Sequence, residues 1–389
     1  MSPLASQPPL DGRRPRIAIL GAGAVGSVLG SLLWRAGEDV VLVGRAAHVA
    51  AIRAAGLDVE GVLGGFNAMP AAEERLSSRP DLALLTVKTQ DVVGVLRENA
   101  AMLQGVPVVV LQNGLAGEEL AATVVPEATL VGGVVSLHAE YLVPGRVVLM
   151  QSEGLLIGRP SGDNDAVVDW IRQILAKAIP TTITANIRGA RWTKLIVNLN
   201  NVLPALTGTN FRQVYRDRFL RWLAVGMMRE GLAVAERAGV RLESLPGTGV
   251  PLFRLITYLP ATLAGVVAAR KATRLETHWP LRGSTWQSVA RARPTEIDYL
   301  NGEIIRMGRA LSVPTPLNAF VLTLLPRVEA ERRFLSPREI EYAFAGSQRA
   351  LRHEEPPATP NCQNEKAPHA EAPGLSAHRR GPHRREHLG

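Results

Sequence analysis

The chain carries a single cysteine, Cys362, among 389 residues. One thiol cannot make an internal disulfide, a CxxC redox pair or a cysteine-ligated metal centre, and such scarcity fits a reducing, cytoplasmic setting. Aromatic residues are also few, at 5%. No basic stripe is interleaved with them, so the formal charge of +9 does not read as a nucleic-acid surface. A basic chain equally suits anionic metabolites and phosphates. Long apolar runs are missing too. The longest, Leu255 to Ala269, is interrupted by Thr257, Pro260, Thr262 and Gly265. It is too broken to cross a bilayer, and a buried helix is expected there instead. The opening stretch, M-S-P-L-A-S-Q-P-P-L-D-G-R-R, has no apolar core of the kind a signal peptide needs.

What is present is ordinary globular material. Apolar residues make up 46% and charged residues 20%, and the length suits two domains with full cores. Residues 1–14 are Pro-rich and polar, expected to be disordered. R-I-A-I-L (16–20) then reads as a strand, followed by a Gly loop, a helical period from Ala24 to Arg35 and a terminating Gly37. Further strand-like runs fall at 40–43, 81–87, 107–111, 129–136, 146–150 and 154–158. Strands alternating with helices predict a doubly wound parallel sheet, a Rossmann domain over 15–186. Beyond it the strand signals vanish. Helical periods at 189–206, 216–238, 250–269, 285–292 and 296–311 predict an all-α domain over 187–346. From 347 onward the chain is rich in proline and histidine, and a disordered tail is expected, with no metal site because the histidines lack helix-face spacing.

Gly21-Ala22-Gly23-Ala24-Val25-Gly26 is G-x-G-x-x-G. The pattern alone is weak, but here it follows a strand and opens a helix. In that context the first glycine permits the tight turn, the second admits a pyrophosphate to the backbone, and the third lets helix and strand pack. The second strand ends V-L-V-G-R, placing Arg45 where an Asp or Glu would hold the ribose 2′-hydroxyl of NAD. A cation there suits the 2′-phosphate of NADPH. Lys88 ends the strand of T-V-K-T-Q, and Asn113 ends the next one in L-Q-N-G. Both fall on the carboxyl edge of a parallel sheet, where ligands bind.

Residues 191–208, R-W-T-K-L-I-V-N-L-N-N-V-L-P-A-L-T-G, carry two stripes at helical spacing. Leu195, Leu199, Val202 and Leu203 form an apolar face. Lys194, Asn198 and Asn201 form a second, polar one. Asparagine is a poor helix former, and a buried polar stripe needs hydrogen-bonding partners, which a ligand can supply.

Taken in order, G-A-G-A-V-G, T-V-K-T-Q, L-Q-N-G, R-W-T-K-L-I-V-N and T-E-I-D-Y-L-N-G-E resemble the ketopantoate reductase (2-dehydropantoate 2-reductase) family over residues 16–330. The resemblance implies an oxidoreductase that transfers hydride from NADPH to the C2 ketone of 2-dehydropantoate, giving (R)-pantoate for pantothenate and coenzyme A synthesis. It implies Lys194 and Glu296 as catalytic residues, with Lys194 the proton donor and Glu296 close to it. It implies cofactor contacts at Gly21, Ala22, Gly23, Ala24, Val25, Gly26, Arg45, Lys88, Asn113 and Ala139. Substrate contacts are implied at Asn113, Lys194, Asn198, Asn201 and Ser284, the last in front of a short helix from Thr285. Lysine suits its role chemically, because hydride addition leaves an alkoxide that an ammonium can stabilise and protonate. Many members carry a second asparagine eight residues after the lysine, where this chain has Val202; Asn201 is the expected substitute. The alternatives are a reductase of another 2-keto acid and an inactive NADP-binding regulator. The expected partners are a small 2-keto acid and a second copy in a homodimer, with no nucleic acid, membrane or metal.

Overall fold

The computed structural model describes residues 13–275 and 280–353. Ten strands form one sheet: β1 (Arg16–Leu20), β2 (Asp39–Val43), β3 (Leu57–Gly61), β4 (Phe66–Ala68), β5 (Ala71–Glu73), β6 (Leu82–Leu85), β7 (Val108–Val110), β8 (Leu130–Val143), β9 (Arg146–Gly158) and β10 (Thr181–Ile183). Among them lie α1 (Ala24–Arg35), α2 (Ala46–Ala55), α3 (Val92–Glu98), α4 (Gly117–Ala122) and α5 (Ala166–Leu175). The strand order is β4-β3-β9-β8-β7-β6-β1-β2-β5, with β10 on β9. The path from β7 through β6 and β1 to β2 and β5 is parallel throughout. The reversal of winding beside β1 places the Gly loop at a switch point.

Alternation explains the layers. Ile17 and Ile19 of β1 join the core beneath α1 and α5, with Leu29, Leu33 and Ile171. Ala18 and Leu20 face the other way, into a core with Val92 and Leu96 of α3 and Ala121 of α4. A strand buried on both faces must be apolar at every position, as R-I-A-I-L nearly is.

The sheet is not parallel everywhere. β8 and β9 form a long antiparallel hairpin, closed by Pro144 and Gly145 (φ +79°). The runs 146–150 and 154–158, expected as two strands, are one strand interrupted by a bulge. β4, β5 and β10 have three residues each, too few for a periodic signal, and β3, L-D-V-E-G, carries two acids that break an apolar run.

The helical half holds α6 (Ile187–Asn198), α7 (Val202–Thr207), α8 (Phe211–Arg216), α9 (Arg218–Arg237), α10 (Val250–Tyr258), α11 (Ala261–Leu275), α12 (Gly283–Ala290), α13 (Asn301–Ala310), α14 (Pro316–Glu331) and α15 (Pro337–His353). Its core gathers Trp192, Leu195, Leu199, Leu203, Leu223, Met227, Ile304 and Val321. The helix expected over 189–206 tightens into a 3-10 turn at Leu199–Asn201 before α7 resumes. Pro204 has no N–H to continue the α-ladder, and its ring crowds the carbonyl one turn back.

Two expectations change. The helix expected as buried over 250–269 is split at Pro260 into α10 and α11, and Leu255 and Leu263 are 52% and 54% exposed. Apolar composition does not bury a face that the chain leaves uncovered. The first residues of the tail expected from 347 are helical, since α15 runs to His353. Residues 1–12, 276–279 and 354–389, Cys362 among them, lie outside the described residues. No described helix is long and apolar enough to cross a membrane.

Candidate active site

The Gly loop is built as its sequence demands. Gly21 and Ala22 donate to the carbonyl of Val43 at 3.0 and 2.8 Å, tying the end of β1 to that of β2. Gly21 has φ +113°, and a Cβ there would lie 2.6 Å from the backbone N of Val87. A Cβ on Gly26 would strike the carbonyl of Gly21, and Thr86 Oγ1 donates to that same carbonyl at 2.8 Å. Gly23 is different: no atom lies within 4 Å of its Cβ position. It caps α1 without a side-chain hydrogen bond. Open space at a helix N-terminus bordered by backbone N–H groups fits a pyrophosphate. Ala24 and Val25 form the first turn above it, and Arg45, exposed at the N-cap of α2, stands where β2 ends.

Further along the carboxyl edge the two halves meet. Lys88 Nζ donates to Ser288 Oγ at 2.8 Å and to the carbonyl of Pro294 at 2.5 Å. Burial pushes Lys88 below the ordinary lysine value, with Arg293 and Arg45 acting the same way and Glu296 and Asp91 against them. Glu296 accepts from the backbone N of Thr89 at 3.0 Å, with Thr89 Oγ1 also at 3.0 Å. Burial raises the Glu296 carboxyl, opposed by those bonds and by Lys88. Ala139 sits buried in β8, and its carbonyl accepts from Gln287 Nε2 of α12 at 3.0 Å.

The polar stripe of α6 turns to this edge. Asn198 Nδ2 donates to Asn113 Oδ1 at 3.1 Å. Lys194, half-buried, lines a small pocket with Asn113, Gln112, Gly114 and Val135. Gly114 (φ +83°) lets this loop pass close to the carbonyl of Tyr299, which a Cβ there would approach to 2.6 Å. Asn201, buried at 8% exposure, lies beside Gly283, where a Cβ would meet its Oδ1 at 3.0 Å. Ser284 follows Gly283 inside the first turn of α12, not in front of the helix; the N-cap is Arg282, whose guanidinium stacks on Trp286 at 4.4 Å. Val202 is fully buried in the helical core.

The stripe therefore brings Lys194, Asn198 and Asn113 together, with Asn201 next to the start of α12. Glu296 reaches the same loop edge through Thr89, whose Oγ1 also lies 3.2 Å from the carbonyl of Asn113. Its charged neighbours are Lys88 and Asp91, while burial lowers Lys194 against the charge of Glu153. The glutamate follows Pro294 and Thr295 into the 3-10 turn Ile297–Tyr299, which aims it at Thr89.

Arg191 went unread in the sequence. One turn before Lys194, it reaches through the wall: Nη1 and Nη2 donate to the carbonyls of Gln112 and Val110 at 2.8 and 2.7 Å, and Nε pairs with Glu118. This clamps α6 to the end of β7. Its signal was R-x-x-K, an arginine on the face of the polar stripe. His138 was also missed. It lies near Lys194, its ring held at a pKa of about 4 by burial and then by the lysine, against a hydrogen bond with Gln151. Among the described residues no cluster of His, Cys, Asp and Glu could hold a metal ion.

A Gly-loop sheet whose carboxyl edge is completed by a helical wall is the build of a two-part oxidoreductase. Comparison with known proteins makes this specific. Residues 17–162 match the family "Ketopantoate reductase PanE/ApbA", and residues 186–329 match its C-terminal counterpart. A 2-dehydropantoate 2-reductase of Pyrococcus horikoshii is 30% identical over 318 residues, covering 81% of this chain and 98% of its own. One from Mesorhizobium japonicum is 31% identical over 346 residues, covering 82% and 98%. The crystal structure of a PanE/ApbA family ketopantoate reductase from Ralstonia eutropha superposes with a TM-score of 0.67 at 30% identity, covering 81% and 99%. The chain belongs to the ketopantoate reductase family, and it is an oxidoreductase.

Proposed function

We propose that this protein reduces 2-dehydropantoate to (R)-pantoate with NADPH, in the cytoplasmic route to pantothenate and coenzyme A. The observation that carries the reading is the meeting of Lys194 with the bonded pair Asn113 and Asn198 at the carboxyl end of β7. Curated relatives bearing that enzyme name over nearly their whole lengths support the substrate.

Gly21 to Gly26 would hold the pyrophosphate, and Arg45 the 2′-phosphate. Lys88 and the Asn113 and Ala139 backbone would border the nicotinamide end. Bound there, NADPH supplies the hydride. The chain's own residues do the rest. Lys194 offers its ammonium to the C2 oxygen, stabilises the charge that develops and delivers the proton. Asn113 and Asn198 orient the keto acid, and the first turn of α12 with Ser284 offers N–H and O–H donors to its carboxylate. Asn201 stands at the far end of the stripe. Glu296 accepts from Thr89 at the cofactor edge and so fixes the loop that carries Lys88.

Lys194→Ala tests this. Turnover should fall by about three orders of magnitude, while NADPH binding by fluorescence stays intact. Unchanged turnover would end the assignment; a wild type that binds NADPH and reduces no keto acid would instead favour the regulator. Burial of Val202 in the core favours a second reading, another 2-keto acid, because the substrate wall then rests on Asn201. We also assign a homodimer, on the exposed Trp222, Leu255 and Leu263 of the helical half; a monomeric mass in sedimentation would refute it.

A further inference from the structure

Lys88, half-buried on the loop after β6, makes both of its hydrogen bonds to neutral oxygens of the helical half. One runs to Ser288 Oγ at 2.8 Å and the other to the carbonyl of Pro294 at 2.5 Å. Among the described residues no carboxylate pairs with its ammonium; that of Glu296 is taken up by Thr89 instead. An ammonium carries three N–H donors, so one donor and the charge itself are left for a ligand. Ser288 is 6% exposed in α12. Its own proton goes back along the helix to the carbonyl of Ser284 at 3.1 Å. A hydroxyl has a single donor, so the chain of bonds has one direction, from Lys88 into Ser288 and from Ser288 into Ser284. The helix beneath it is pinned to β8. Gln287 Nε2 donates to the carbonyl of Ala139 at 3.0 Å, and Arg291 donates to that of Tyr141.

We propose that Ser288 is a positioning residue of the reductase site: it fixes the Lys88 head group, with its remaining N–H and its uncompensated charge kept for the cofactor, and ties that lysine to the turn proposed for the keto acid's carboxylate. The proposal rests on Lys88 as a cofactor contact. A lysine that must be ordered on binding loses side-chain entropy, and one ordered beforehand does not. The carbonyl of Pro294 is a single point about which the ammonium could swing. Ser288 is the second point, and the pinned helix keeps it still.

The test uses the full chain as wild type, Ser288→Ala, Ser288→Thr, Lys88→Ala and the double variant Ser288→Ala with Lys88→Ala. NADPH affinity is read by fluorescence titration without keto acid, and the urea midpoint of each protein beside it. Ser288→Ala should weaken NADPH binding about tenfold, the value of a contact to a charged group. Ser288→Thr keeps the hydroxyl and should retain most of the affinity. In the Lys88→Ala background, Ser288→Ala should cost nothing further, because no ammonium is left to place. Wild-type affinity in Ser288→Ala beside a weakened Lys88→Ala overturns the role of Ser288, as do losses that simply add in the double variant. Wild-type affinity in Lys88→Ala overturns the cofactor contact on which the proposal rests. A wild type that binds NADPH and reduces no keto acid overturns the reductase reading, a failure that the affinity cycle reads separately.

Discussion

Asn198 on α6 donates to Asn113 at the end of β7 across 3.1 Å, joining the helical half to the sheet at the point where the keto acid is proposed to lie. Each amide keeps further hydrogen-bonding capacity for a ligand. Asn198→Ala should therefore lower kcat/KM for the keto acid by 10- to 100-fold, an estimate of about 1.4 to 2.7 kcal/mol for a lost polar contact. The KM for NADPH should change little. Steady-state kinetics with each substrate varied separately checks this; equal losses for both would place Asn198 in the framework instead.

Arg45 bears on cofactor choice. It is exposed at the end of β2, with Gly44 packed on Ala22 so that the Gly loop and the arginine share one edge. Arg45→Ala should raise the KM for NADPH by about tenfold or more, the value of a charge-assisted contact, and leave that for NADH nearly unchanged. An equal rise for both cofactors would remove the 2′-phosphate from Arg45.

Arg191 is 4% exposed and holds Glu118 together with the carbonyls of Gln112 and Val110. Arg191→Ala would leave a largely buried carboxylate without its partner. The expected cost is about 3 to 5 kcal/mol of stability, read as a lowered urea midpoint. The paired change with Glu118→Ala should recover part of the loss, because no unpaired charge then remains. A double variant no better than the single would show that the carbonyl contacts carry the clamp.

Much of this site is legible in one dimension because its signals are local. β1, the Gly loop and α1 occupy twenty consecutive residues, so strand, glycine spacing and helix period are read together. Lys194, Asn198 and Asn201 fall on one stripe by helical spacing alone. The rest depends on neighbours far along the chain. That Glu296 bonds to Thr89 depends on the 3-10 turn after Pro294 and on a loop 207 residues away. The bulge in β9 exists only against β8, and Ser284 enters α12 because Gly283 can take φ +79°. The exposure of Leu255 follows from what packs nearby, which apolar composition does not encode.

His48 sets an acid limit on stability. Its Nδ1 accepts from the backbone N of Gly145 at 3.0 Å, so Nε2 carries the proton and donates to Ser27 Oγ at 3.1 Å. Burial lowers the ring to a pKa of about 4 from the ordinary 6.5. The unfolded ring takes up a proton near 6.5 while the folded one resists until about 4. Stability from this site is thus complete above that upper value and is lost as pH falls through the window. His138 acts in the same direction. Urea midpoints should fall between neutral pH and pH 4, and His48→Gln should flatten that slope while lowering the midpoint at neutrality. Parallel slopes in the two proteins would contradict the assignment.

The central claim is that the Lys194, Asn113 and Asn198 constellation reduces 2-dehydropantoate. The most direct measurement is NADPH oxidation by the purified protein, followed by absorbance, with 2-dehydropantoate set against a panel of other 2-keto acids. The account predicts the highest kcat/KM for 2-dehydropantoate, with (R)-pantoate as product. No turnover of 2-dehydropantoate at saturating NADPH, beside brisk reduction of another 2-keto acid, would contradict it.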